Sequence, residues 1–119
     1  MTVDDAMTEL ADALRTTERQ VYRGSAENLQ PPCYVLGAPT LTYDTYSTSE
    51  PSAITITVYA VGKASDMDVP ASLYRSVVPE AVAAIQQSTR GTVTQAVPGS
   101  IATGAREFPC YNLTTEVPL

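Results

Sequence analysis

The chain has no histidine and no tryptophan, a single phenylalanine, and a single lysine, Lys63. Without histidine it lacks the commonest general base and the commonest transition-metal ligand. A Ser/His/Asp triad and a Cys/His pair are both excluded. Charged residues occupy only 17% of the 119 positions, so much of the surface must be Ser, Thr, Gln and apolar atoms. The net charge is −6 and the arginines (Arg15, Arg19, Arg23, Arg75, Arg90, Arg106) are scattered, which argues against a basic nucleic-acid-binding face. No apolar run reaches signal-peptide or membrane-spanning length, and no membrane partner is expected. Cys33 and Cys110 are the only thiols. Both are expected free in a reducing cytosol; a disulfide would need them on neighbouring strands, with α-carbons within roughly 7 Å.

Local motifs add no chemistry. Gly62-Lys63 is followed by Ala64 and is not preceded by the glycine of a phosphate-binding loop. Asp66 and Asp68 alternate as in a hard-cation site, but Met67 sits between them, and neither the sharp-turn glycine nor the closing glutamate of a calcium loop is present. Helix capping explains them better. Asp4 and Asp5 adjoin on an exposed helix end, where nothing would raise a carboxyl pKa for acid catalysis. No catalytic, metal or cofactor site is expected, and the protein does not read as an enzyme.

The stretch that is present in strength is Ile54 to Val61, ITITVYAV. Ile54, Ile56, Val58 and Ala60 alternate with Thr55, Thr57, Tyr59 and Val61, a period of two that fits a central strand with one aliphatic face and one mixed face. Ahead of it, Thr2 and Asp5 have capping-box spacing, and Val3, Met7, Leu10 and Leu14 form the apolar stripe of an amphipathic helix over Thr2 to Arg15. Thr16 to Gln30 has no sustained period and reads as helix extension and connector. Pro31-Pro32 forces extended backbone into a strand Cys33 to Leu36, Gly37-Ala38-Pro39 reads as a turn, and Thr40 to Asp44 starts another strand.

Thr45 to Ser52, TYSTSEPS, is a polar excursion too hydrophilic for a core. After the central strand, Leu73, Val77, Ala81, Ala84 and Ile85 mark a second helix ending near Ser88. Pro79 inside it predicts a kink or restart, and Gly91 closes it. Thr92 to Val97 reads as a strand, Pro98-Gly99-Ser100 as a turn, and Cys110 to Val117 as a last, alternating strand. The fold class is therefore α+β: a mainly antiparallel four- to five-stranded sheet with two helices packed on one face, in the order helix, three strands, helix, two strands, as a single domain over 1–119.

Tyr34, Tyr43, Tyr46, Tyr59, Tyr74 and Tyr111 fall mostly on or beside strands, where tyrosine suits either a protein interface or ordinary sheet packing with the hydroxyl at the margin.

Two stretches carry a family resemblance. PPCYVLGAPTLTYD, Pro31 to Asp44, resembles the paired-proline strand, glycine-proline turn and Tyr-Asp strand of tail terminator proteins of long non-contractile-tailed bacteriophages, particularly those infecting mycobacteria and relatives. FPCYNLTTEVPL, Phe108 to Leu119, resembles the aromatic-Pro strand and Thr-x-Glu-Val ending of the same proteins. Cys33 and Cys110 stand where small apolar residues are expected. The resemblance implies a structural virion protein, assembled in the host bacterial cytoplasm. It would form a ring of six at the head-proximal end of the tail tube, ending polymerisation of the major tail tube protein and offering a surface to the head-completion or connector protein. DNA would pass through the lumen without specific binding. Tyr43, Tyr46, Thr48, Glu50, Tyr59 and Tyr111 are the candidate subunit or tube contacts, with the Thr45 to Ser52 excursion as an arm. Alternatives are another neck component (a head-closure or head–tail joining protein) and a small α+β module holding an apolar ligand between sheet and helices.

Overall fold

The first helix forms where its cap places it. In the computed structural model, which describes residues 2–24, 29–44, 49–63, 69–103 and 106–119, the Thr2 hydroxyl accepts from the Asp5 N–H at 3.1 Å, and the Asp5 carboxylate accepts from the Thr2 N–H at 3.3 Å. This capping box opens α1, Val3–Arg15, which buries Met7, Leu10 and Leu14 along the expected stripe. Asp4 and Asp5 lie at its positive end and Arg15 at its negative end, as the helix dipole favours.

Six strands form one sheet: β1 (Gln20–Arg23), β2 (Cys33–Leu36), β3 (Thr40–Thr42), β4 (Ala53–Val61), β5 (Thr92–Thr103) and β6 (Arg106–Pro118). The main order is β1-β2-β4-β6-β5, with β3 also paired to β4. Every pairing is antiparallel except β1 with β2, which is parallel. The strand ITITVYAV lies within β4, and all nine residues of β4 pair with β6, from Ala53↔Pro118 to Val61↔Cys110. Its burial alternates as expected up to Ala60: Ile54, Ile56 and Val58 are fully buried under the helices, each worth roughly 1.5–3 kcal/mol relative to exposure.

The second helix, α2, is one helical run in three segments, Val69–Ser72, a π-helical turn Leu73–Val77, and Val78–Ser88. The π-turn is the physical form of the disturbance expected at Pro79. A proline lacks the N–H that would bond four residues back, and its ring crowds that carbonyl. Widening the preceding turn, with the Val78 N–H reaching the Leu73 carbonyl, accommodates Pro79 without breaking the helix. Of the expected stripe, Leu73, Val77, Ala81 and Ile85 are buried, while Ala84 is only half-buried. The expected caps Asp66 and Asp68 lie outside the described residues.

Several expectations require correction. The sheet has six strands, not four to five, and the order is helix, four strands, helix, two strands. The strand missed is β1, in the segment expected to be connector; its backbone pairs with β2 while Gln20 and Arg23 stay exposed, so no hydrophobic period marks it. Gly37-Ala38-Pro39 does not reverse the chain. β2 and β3 both run along the same edge of β4, and the Gly37 N–H continues the ladder to the Thr57 carbonyl at 3.0 Å. A Cβ at Gly37 would stand 3.3 Å from that oxygen and 3.4 Å from the Tyr59 ring, so glycine lets the tyrosine lie across the strand. Pro98-Gly99-Ser100 is no turn either: all three residues lie inside the twelve-residue β5, opposite Tyr111, Cys110 and Pro109. Proline is tolerated there because β5 is an edge strand.

The interlayer core contains one polar misfit. Thr115, opposite Ile56 and Val93, is fully buried, and its hydroxyl has no hydrogen-bond partner among the described residues. Leaving a hydroxyl dry and unpaired costs about 1–3 kcal/mol, and valine has nearly the same shape. Thr115→Val is therefore expected to stabilise the protein by about 1 kcal/mol, read as a higher urea midpoint at unchanged slope; a lower midpoint would refute the unsatisfied state.

Candidate functional site

The strands send their side chains to two unlike surfaces. On the helix side, Tyr34 and Leu36 of β2, the aliphatic set of β4, and Leu113 and Val117 of β6 meet Leu10, Leu14, Leu73 and Ile85. On the other side, Thr55, Thr57 and Tyr59 lie in register with Glu116, Thr114 and Asn112, and β5 continues the surface with Gln95 and Val97. Only Glu116 among these is charged at neutral pH, and β5 carries no charged residue in its twelve positions. Val97 is 40% exposed there.

One end of that helix-free face closes into a second small core. Cys33, Val61 and Cys110 stand abreast on β2, β4 and β6, packed with Val35 and Phe108 and bordered by Tyr22, Leu29 and Ile101. Val61, expected on the mixed face, is on it and fully buried. The two cysteines flank Val61, so two strand spacings, about 10 Å, separate them. That is beyond disulfide reach, and both thiols are free. Burial pushes each up to about 11, and the Cys110 S–H lies 3.3 Å from Asn112 Oδ1. Neither has the environment of a reactive thiolate.

Past Gly62 the β5–β6 hairpin runs on alone. The Pro109 carbonyl still accepts from the Gly62 N–H at 2.9 Å; beyond it, among the described residues, Arg106 to Phe108 pair only with Ile101 to Thr103, a two-stranded ribbon ending about 13 Å past the end of β4. Phe108 and Ile101 tie it to the small core, and the Ser100 hydroxyl bonds Glu107 at 2.7 Å.

The residues singled out from sequence do not form one patch. Tyr43 is 51% exposed just past β3, at the end of the sheet where Leu41 is 42% exposed, and Glu50 is exposed in the segment returning to β4. Tyr59 and Tyr111 are both half-buried near the other end but on opposite faces, because Ala60, not Tyr59, is the partner of Tyr111. Tyr111 meets the edge of Tyr74 at 6.4 Å between ring centres, and Arg75 lies over the Tyr74 ring. Tyr46 and Thr48 lie outside the described residues. Where the excursion Thr45 to Ser52 rejoins β4, Ser52 bonds the Thr42 carbonyl through its N–H at 2.8 Å and accepts from the Leu119 N–H at 3.0 Å.

No protein-family profile matches the chain, and no curated protein matches it. Among the described residues, no group of three or more His, Cys, Asp or Glu side chains converges as a metal centre would, and no helix is long and apolar enough to cross a membrane.

Sequence reading also passed over a cleft of 260 Å³ where the chain segments following α1 and β4 meet the π-turn. Arg19, Lys63, Ser72 and Ser76 line it together with Leu73 and Val77. No spacing signals it, since its residues, Pro32 among them, come from four separate parts of the chain.

Proposed function

We propose that this protein is a ring-forming structural component of a phage tail, a terminator that caps the head-proximal end of the tube. The observation that carries the reading beyond sequence resemblance is the uneven finish of the sheet. One face is fully roofed by α1 and α2, while the other, with the β5 edge and the projecting ribbon, is neutral and rich in Thr, Asn, Gln and Tyr. Among the described strand residues of that surface the charged side chains are Glu116, with Arg106 and Glu107 in the ribbon. Low charge with aromatic and amide side chains suits contact with other protein. The two stretches that resemble tail terminators, Pro31 to Asp44 and Phe108 to Leu119, supply the strands on either side of β4. A repeated heterologous contact between copies closes naturally into a ring.

The test is reconstruction of tails carrying the protein. The expected density is one ring of six 12.7-kDa chains, about 76 kDa, at the head-proximal end. A twelve-fold ring, or a ring on the head side of the joint, would replace termination with a connector or head-closure role.

A further inference from the structure

We infer that the cleft beside the π-turn is a binding site for a monocarboxylate carrying an apolar body, the chemistry of a peptide carboxy terminus or of a small free carboxylic acid. The inference does not depend on the ring.

The cleft gathers cationic groups in an acidic protein. Lys63 is the chain's only lysine, and Arg19 reaches the same space from the turn after α1. Arg19 is held rather than free: its guanidinium bonds the Glu80 carboxylate, it interacts with the Tyr34 hydroxyl, and its side chain is only 19% exposed. A guanidinium has five N–H donors, and Glu80 and Tyr34 do not use them all. A fixed donor loses little conformational freedom when a ligand arrives. Among the described residues, Glu80 offsets one of the two positive charges, leaving a net single charge that matches a carboxylate better than a dianionic phosphate.

The walls select the rest of the ligand. The Val77 carbonyl is already taken by the Tyr34 hydroxyl at 2.9 Å, and the Ser72 carbonyl by the Ser76 hydroxyl at 3.1 Å. Ser76 spends its one proton on the Ser72 carbonyl, so the donors left to a ligand are the Arg19 guanidinium, the Lys63 ammonium and the Ser72 hydroxyl, and Leu73 and Val77 form an apolar floor. Its 260 Å³ falls just under the roughly 300 Å³ at which small-ligand pockets begin. A bare oxyanion would leave most of it empty. A carboxylate against Arg19 and Lys63, with an aliphatic group on Leu73 and Val77, fills it.

The experiment is a titration of the folded, ¹⁵N-labelled protein followed by amide shifts. N-acetyl-leucine and hexanoate are expected to give saturable shifts centred on Lys63, Ser72, Leu73, Ser76 and Val77. Tighter binding of acetyl-leucine would identify a peptide terminus as the ligand, and tighter binding of hexanoate a small free acid. Acetyl-leucinamide, which has the body without the charge, should bind about tenfold more weakly or worse, since a charge-assisted bond is lost. Lys63→Gln, an exposed change, should weaken both carboxylates about tenfold with the melting temperature unchanged, and Lys63→Arg should restore binding. Equal binding of acid and amide, stronger shifts with inorganic phosphate, full affinity in Lys63→Gln, or no saturation at millimolar ligand would each overturn the site. Because none of these readouts involves assembly, failure here leaves the ring intact, and failure of the ring leaves the cleft intact.

Discussion

If the protein is the tube terminator proposed above, cells infected by a phage lacking it are expected to accumulate tails of uncontrolled length beside filled, unattached heads. A tube protein that adds to its own end stops only when the end is covered, so loss of the cap removes both the stop and the docking surface for the head. The same outcome is expected from a single change on the helix-free face. Val97 is 40% exposed on the edge strand β5, and Val97→Glu places a charge in the uncharged stretch Thr92 to Thr103. Its cost to the isolated fold should stay within about 0.5 kcal/mol, as for most surface changes. Burying the unpaired carboxylate against a neighbour would cost several kcal/mol per contact, multiplied around a ring. Tail length measured by negative-stain microscopy decides the matter. Normal-length tails without the protein would exclude termination and favour a joining role. Normal capping by a folded Val97→Glu protein would remove β5 from the interface.

Stability is expected to collapse on the alkaline side. Cys33 and Cys110 are buried as neutral thiols, and desolvation raises each from 9.0 to about 11. In the unfolded chain they ionise near their ordinary value. Between about pH 9 and 11 the native state therefore binds more protons than the unfolded state, and stability falls as pH rises through that window. Below it the thiols are protonated in both states and contribute no slope. Two thiols, each displaced by about two pH units, remove at most about 5 kcal/mol, comparable to the whole stability of a small domain. Tyr34, whose phenol burial also pushes up, acts in the same direction. Urea midpoints should hold roughly level to about pH 9 and drop steeply above. A Cys33→Ala/Cys110→Ala protein, weaker at neutral pH because of the cavities, should show a distinctly flatter alkaline limb. Identical limbs in the two proteins would show that the thiols are not the cause.

What the sequence determined by itself is what local order and short-range period determine. The Thr2–Asp5 box and the stripe of Met7, Leu10 and Leu14 made α1 legible, because a cap and a 3.6-residue period are properties of a few adjacent residues. The alternation of Ile54 to Ala60 and of Tyr111 to Val117 made β4 and β6 legible and assigned most of their faces correctly, because a one-residue slip would have turned every aliphatic side chain to the wrong side. The disturbance at Pro79 was legible as well, although only packing decided that it takes the form of a π-turn.

Tertiary structure alone decided the rest. Gln20–Arg23 becomes a strand because β2 offers it an open edge, a contact of backbone with backbone that leaves no side-chain period. Pro98 and Gly99 read as a turn and are strand residues, because the edge position of β5 removes the penalty for a missing N–H. Val61 was read with the mixed face and is buried there, since the returning hairpin brings Phe108 and Cys110 over it. Tyr43, Glu50, Tyr59 and Tyr111 share a composition suited to interfaces but no surface, because register places Tyr59 and Tyr111 on opposite faces and puts Tyr43 and Glu50 at the far end of β4. The cleft of Arg19, Lys63 and the π-turn exists only once the sheet brings the turn after α1 to segments more than 40 residues further along the chain, and no local pattern in any one of them encodes the others.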